Sequence, residues 1–269
     1  MFTIGYAHQN MSMVNQSTSA TANSTYGKSP NADPNNALPG RSPFEVEHRF
    51  FATLSSTHFF FGENSPTTFS VFFERRSGYP LSATFATETK SVANYQRQAF
   101  GLDDSLQDDN RNFLIYVPTG EFDPLVCWVS CTSPDMEFAA QAMEMMKALD
   151  LLGYAGGIAP KGHVNAPYVS TMDVKVTQVL KGFRDEDEFI IELGIQNILN
   201  LLDDEMGVHK SGHYTRTNPI FDVDMTEDFS KYILSPSYAF DLENPMGIRT
   251  QTTPSLWRAQ LGFRYKFNF

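Results

Sequence analysis

The chain has 269 residues, 41% hydrophobic, 13% aromatic and 19% charged. Its 31 Asp and Glu against 20 Lys and Arg give a formal net charge of −11, which argues against a phosphate-backbone surface, so no nucleic-acid partner is expected. No window supplies the ~18 consecutive apolar residues of a membrane helix, and two cysteines are too few to build a disulfide scaffold. What stands out is 23 Phe and 11 Tyr in a chain of negative mean hydropathy. Abundant aromatics in a polar background fit strands whose two faces meet different solvents.

Phe2, Ile4 and Tyr6 open a first strand, followed by Ser/Thr/Asn-rich sequence to about residue 38. Between residues 45 and 60 a weaker alternation sets Phe50, Ala52 and Leu54 opposite Phe51, Thr53 and Ser55. Phe69, Val71 and Phe73 then alternate with Ser70, Phe72 and Glu74. A long connection over residues 86–167 holds one expected helix, 134–152, with Ser133 as its cap, Pro134 first, and Asp135 and Glu137 at the positive end. Phe138, Ala142, Met145, Leu149 and Leu152 share a face, and Gly153 ends it. That Met-rich face suits a ligand groove or simple packing on its own loop.

Met172, Val174 and Val176 alternate with Asp173, Lys175 and Thr177, and Phe189, Ile191, Leu193 and Ile195 with Ile190, Glu192, Gly194 and Gln196. Two further strands are expected over 213–223 and 229–240. The last segment is the clearest: Trp257, Ala259, Leu261, Phe263, Tyr265, Phe267 and Phe269 face one way, and Arg258, Gln260, Gly262, Arg264, Lys266 and Asn268 the other. Eight strands result. This last one is longer than soluble strands usually run and meets the ~9–11 tilted residues of a transmembrane β-strand.

The connections sort by length. Residues 62–66 and 184–187 read as short polar turns, with 224–228 a third, whereas 16–44, 86–167, 200–212 and 241–254 are long. Long and short alternate along the chain, as the outer loops and periplasmic turns of an outer-membrane barrel do. The fold class expected is therefore all-β: about eight antiparallel strands of a larger transmembrane barrel, with long extracellular loops.

Seven stretches carry a family resemblance. They include Glu47-His48-Arg49-Phe50-Phe51-Ala52-Thr53-Leu54, Phe61-Gly62-Glu63-Asn64, and the run from Thr67-Thr68-Phe69-Ser70 to Ser77-Gly78-Tyr79-Pro80. Asn112-Phe113-Leu114-Ile115-Tyr116-Val117-Pro118, Tyr154-Ala155-Gly156-Gly157-Ile158-Ala159-Pro160-Lys161 and Ile195-Gln196-Asn197-Ile198-Leu199-Asn200-Leu201-Leu202 follow. With the terminal Gln260-Leu261-Gly262-Phe263-Arg264-Tyr265-Lys266-Phe267, the chain resembles the C-terminal barrel portion of a TonB-dependent outer-membrane receptor of the Oar-like group. The resemblance implies a Gram-negative outer membrane, and substrate uptake energised by TonB through a plug domain. It also implies contact with lipid and with the outer-membrane assembly machinery. Signal peptide and plug are not in the sequence, so residues 1–269 are expected to be a piece of a longer polypeptide. The substrate class is left open among small molecules, glycans and peptides.

Chemistry-bearing motifs are sparse: no catalytic residue, metal site or cofactor is expected. His209 and His213 with Asp203, Asp204 and Glu205, or Asp103, Asp104, Asp108 and Asp109, read as metal ligands or as solvated loop residues. Cys127 and Cys131 can pair as a disulfide in an oxidising compartment, or hold a metal or haem. Asp173, Lys175, Glu192, Gln196, Arg258, Arg264 and Lys266 lie opposite the apolar faces and are expected to face the barrel lumen. Phe263, Tyr265, Phe267 and Phe269 are, by resemblance, the insertion signal. Two other classes fit the same pattern: a secreted soluble β-sandwich for binding or adhesion, and a passive porin or surface anchor.

Overall fold

The computed structural model describes residues 1–16, 20–22, 25, 29–33, 36–86, 113–184 and 186–267. The strands begin with β1 (Phe2–His8), β2 (Ser12–Met13), β3 (Gly40–Arg41), β4 (His48–His58), β5 (Thr67–Arg76), β6 (Pro80–Ala86) and β7 (Val126–Trp128). They continue with β8 (Val164–Asn165), β9 (Val169–Lys181), β10 (Glu188–Gln196), β11 (Lys210–Ser211), β12 (Thr217–Met225), β13 (Tyr232–Pro236), β14 (Arg249–Thr250) and β15 (Arg258–Lys266). The described helices include α1 (Met136–Ala148), α2 (Ile198–Leu202) and α3 (Thr252–Ser255), with a 3-10 turn at Leu152–Tyr154. The protein is mostly β-sheet with few helices.

Six strands form one antiparallel meander in the order β1-β4-β5-β9-β10-β15. Its connections run long, short, long, short, long: 9–47, 59–66, 77–168, 182–187 and 197–257. In such a meander all three long connections leave from one end. They are not loose loops. The second and third build a mixed five-stranded sheet, β7-β13-β12-β6-β8, in which β12 runs parallel to β6 and β13 parallel to β7.

The expectation of eight wall strands is corrected here. The strands expected over 213–223 and 229–240 are β12 and β13 of this second sheet, and the turn near 224–228 joins them rather than two wall strands. The physical reason is burial on both faces. Thr217 to Phe221 are all buried, as is every residue of β6, so neither strand separates two solvents. An all-antiparallel arrangement is likewise replaced by a mixed one in this second sheet.

The hydrophobic core lies in this second unit, hereafter the cap. Trp128, Phe138, Phe85, Phe113, Ile115, Met145, Met146, Ile220, Phe221 and Leu234 are buried in it. The Phe138 ring meets Trp128 at 5.9 Å, Phe221 at 6.0 Å and Phe240 at 5.3 Å. Helix α1 starts later than the sequence suggests: Asp135, not Ser133, accepts from the Phe138 N–H at 2.9 Å. A carboxylate two residues closer to the buried face places Phe138 in the core. The helix ends at Ala148, where Asp150 takes the left-handed backbone (φ 56°) that Gly153 was expected to supply. Leu152 stays exposed. The Met-rich face is core packing.

Polar groups tie the connections together. Asp123 accepts from Tyr116 Oη (3.0 Å), Thr119 N–H (2.6 Å), Thr119 Oγ1 (2.9 Å) and Leu125 N–H (2.8 Å). Burial alone would raise its carboxyl, but these donors outweigh it and hold it below the usual range. Burial and the Asp123 bond push Tyr116 up to about 12. Lys161 Nζ donates to Val14 O (2.7 Å), Asn31 Oδ1 (3.0 Å) and Leu38 O (3.1 Å), pinning the first connection onto the second. Cys127 and Cys131 are joined by a disulfide, with Cα atoms 4.8 Å apart.

His163 makes the cap acid-sensitive. Its Nδ1 lies 3.3 Å from Pro160 O, and its Nε2 is buried with no partner among the described residues. Burial pushes the imidazole down to about 4, against weaker upward pulls from Pro160 O and Asp150. An unfolded histidine takes its proton near pH 6.5. The stabilisation is therefore full above that pH and lost as the pH falls toward 4, on the order of 3 kcal/mol. Across pH 7 to 4 the melting temperature of His163→Leu should fall less steeply than that of the wild type, because the variant lacks the imidazole that must be protonated. An identical pH dependence in both would contradict the assignment.

Candidate functional site: the two faces of the six-stranded sheet

Cross-strand register assigns every residue of the six strands to one of two faces. Phe2, Ile4 and Tyr6 sit opposite Leu54, Ala52 and Phe50, which continue to Val71, Phe73, Val174 and Met172. The same face runs on through Ile195, Leu193, Ile191 and Phe189 to Ala259, Leu261, Phe263 and Tyr265. Among these face positions the single Lys, Arg, Asp or Glu is Arg75, at the long-connection end and over the Tyr168 ring. This apolar face is uncovered: Ile4 is 69% exposed, Phe263 64% and Leu261 58%. Val169, on the other face, is the one buried hydrophobic side chain of the six strands.

Aromatic and imidazole rings gather at both rims of the apolar face. Tyr6, His48, Phe50 and His8 stack at the long-connection end. His58, Phe60 and Phe69 do so at the short-turn end, as do Tyr265, Phe267 and Phe183. Tyr265 Oη also donates to Asp187 Oδ2 at 2.8 Å and accepts from the Phe183 N–H at 2.8 Å, locking the last strand to the 182–187 turn. Phe263 and Tyr265 thus share the apolar face and Phe267 continues past it. Phe269 lies outside the described residues.

The opposite face is polar. Asp173, Lys175, Glu192, Gln196, Arg258, Arg264 and Lys266 all fall on it by register. Glu192 gathers Lys175 (2.8 Å) and Arg264 (3.5 Å), and Lys266 meets Glu188 at 3.3 Å. Asp173 instead accepts the Asn197 N–H at 2.8 Å, where Asn197 takes a left-handed backbone (φ 51°) and starts α2. Arg258 donates to Thr253 O at 3.5 Å, and Gln196 lies opposite it in register. Sequence reading missed the Arg49–Glu74 pair at 2.5 Å on the same face, although parity opposite Phe50 and Phe73 marks both. The Phe51 ring lies across Gly5: a Cβ there would come within 2.1 Å of it, so the ring would have to move.

Where the polar face meets the cap, a cavity of about 280 Å³ opens. Arg76 and Val169 line it from the sheet, Gly78 and Tyr79 from the start of the cap, and His209, Lys210, Arg216 and Gln251 from the third connection. His209 lines this cavity, and among the described residues no group of three metal-capable side chains forms. His213 Nδ1 bonds Thr215 Oγ1 at 2.7 Å, and Asp203 Oδ1 accepts the Glu205 N–H. Asp103, Asp104, Asp108 and Asp109 lie outside the described residues. No long apolar helix able to cross a membrane is present among the described residues.

Comparison with known proteins gives no match: no family model, no curated protein and no solved structure is similar to the chain.

Proposed function

We propose that the six-stranded sheet is a section of the wall of an outer-membrane β-barrel, and that the chain is the C-terminal barrel portion of a TonB-dependent receptor. The observation that carries this reading is the continuous apolar face, with one charge at its rim and rings at both ends. Hydrocarbon would cover that face, and aromatic girdles mark the two interfaces of such barrels. A soluble sandwich would spend its second sheet on the apolar face, but here those side chains stay exposed. Among the described residues β1 and β15 each have a single neighbour in the sheet, so on this reading further strands pair with them before the sheet sits in lipid.

On this reading the polar face lines the lumen, where Glu192, Lys175 and Arg264 contact a plug or one another, and the cap lies outside the cell. TonB acts through the plug, and Phe263, Tyr265, Phe267 and Phe269 serve as the strand signal for the assembly machinery. The chain on its own should not remain a monomer in aqueous buffer. Analytical ultracentrifugation with and without a non-ionic detergent tests this: aggregates without it and a single small species with it are expected. A monodisperse, cooperatively melting monomer in plain buffer would overturn the reading.

A further inference from the structure

We infer that the cavity between the polar face and the cap is a binding site for a small organic anion, one presenting carboxylate or phosphate oxygens. Four basic side chains, Arg76, His209, Lys210 and Arg216, line it, and no Asp or Glu does among the described residues. This happens in a chain that carries 31 acidic residues against 20 basic. Arg76 and Arg216 have no carboxylate partner among the described residues. Both guanidinium carbons instead sit over one ring, Tyr79, at 5.3 and 4.3 Å. Glu74, which bears on His209 from outside the lining, is engaged by Arg49 at 2.5 Å.

Two cations that share a ring repel each other, and an anion between them would remove that repulsion. Burial lowers Arg216, against an upward pull from Tyr79 and with a smaller push down from Arg76; burial and then Arg76 lower His209, against Glu74. The backbone holds the arrangement at some cost. Arg216 takes a left-handed conformation (φ 61°), fixed by its N–H to His213 O (2.9 Å) and by its carbonyl, which accepts from Ser82 (2.9 Å). Such strain is kept where a side chain must be aimed. Guanidinium groups present forked donors that match carboxylate and phosphate oxygens in pairs. A cavity of about 280 Å³ is at the small end of ligand pockets, which suits a small solute.

The assignment rests on the lumen reading for what the anion is for, not for whether it binds. Calorimetry on the whole chain in detergent micelles at low salt separates the two, with citrate, inorganic phosphate and glucose as probes. Citrate is expected to bind saturably with a Kd of about 1 mM or tighter, phosphate to report whether phosphate oxygens suffice, and glucose to give no heat of binding. Arg76→Gln with Arg216→Gln should weaken the anion at least about tenfold. Lys210→Gln, on a short exposed strand, should weaken it about threefold and serves if the double variant misfolds. Citrate and phosphate both failing to bind, or wild-type affinity in the folded variants, would overturn the inference and leave the lipid-facing reading untouched.

Discussion

In the full-length barrel, Val174→Arg should destabilise folding into lipid vesicles by about 2–4 kcal/mol, the cost of a guanidinium near the bilayer midplane. Val174 lies midway along β9 (Val169–Lys181), flanked across the sheet by Val71 and Ile195. No charge on that face is near enough to receive it. Thr177→Arg, on the same strand but opposite Glu192, is the control and should cost little, because that side already carries Lys175 and Arg264. Urea titration of folding into vesicles reads both. Equal costs for the two substitutions would mean that the faces do not meet different solvents.

Phe138→Ala should destabilise the cap by about 3–5 kcal/mol, since it deletes a buried ring and leaves a cavity. The ring contacts Trp128, Phe221 and Phe240 edge-on, so three elements lose their common partner. The buried cluster holds no residue of the six-stranded sheet. Near-ultraviolet dichroism, dominated by Trp128 and the core rings, should therefore melt at a lower temperature while the antiparallel sheet keeps its far-ultraviolet signal. Simultaneous loss of both signals would show that cap and sheet fold as one unit.

The six sheet strands were legible because each has two unlike faces, which writes a period of two into the sequence. Phe189 to Ile195 and Ala259 to Tyr265 are the clearest cases, and the polar positions Lys175, Glu192 and Arg264 follow from the same parity. β6 was missed and β12 misplaced because residues buried on both sides carry no alternation: Pro-Leu-Ser-Ala-Thr-Phe-Ala has small and large side chains in no period. The helix start was shifted by two residues because Ser133 and Asp135 are both good caps, and tertiary burial of Phe138 decides between them. The cavity was illegible for another reason. Arg76 ends a strand of the sheet whereas His209 and Arg216 lie far along the third connection, and only the folding of that connection onto the polar face brings the three to one cavity.

The central claim, that the apolar face lies in hydrocarbon, is tested most directly on the full-length barrel, its tryptophans outside this section changed to Phe, by depth-dependent quenching in vesicles of lipids brominated near mid-chain. Trp257, 44% exposed beside β15, is changed to Phe, while Trp128, 2% exposed in the cap, remains as an unquenched baseline. A single new tryptophan is then placed at Val174 or at Thr177. The account predicts strong quenching of Val174→Trp and none of Thr177→Trp. No quenching at Val174, or equal quenching at both positions, would contradict it.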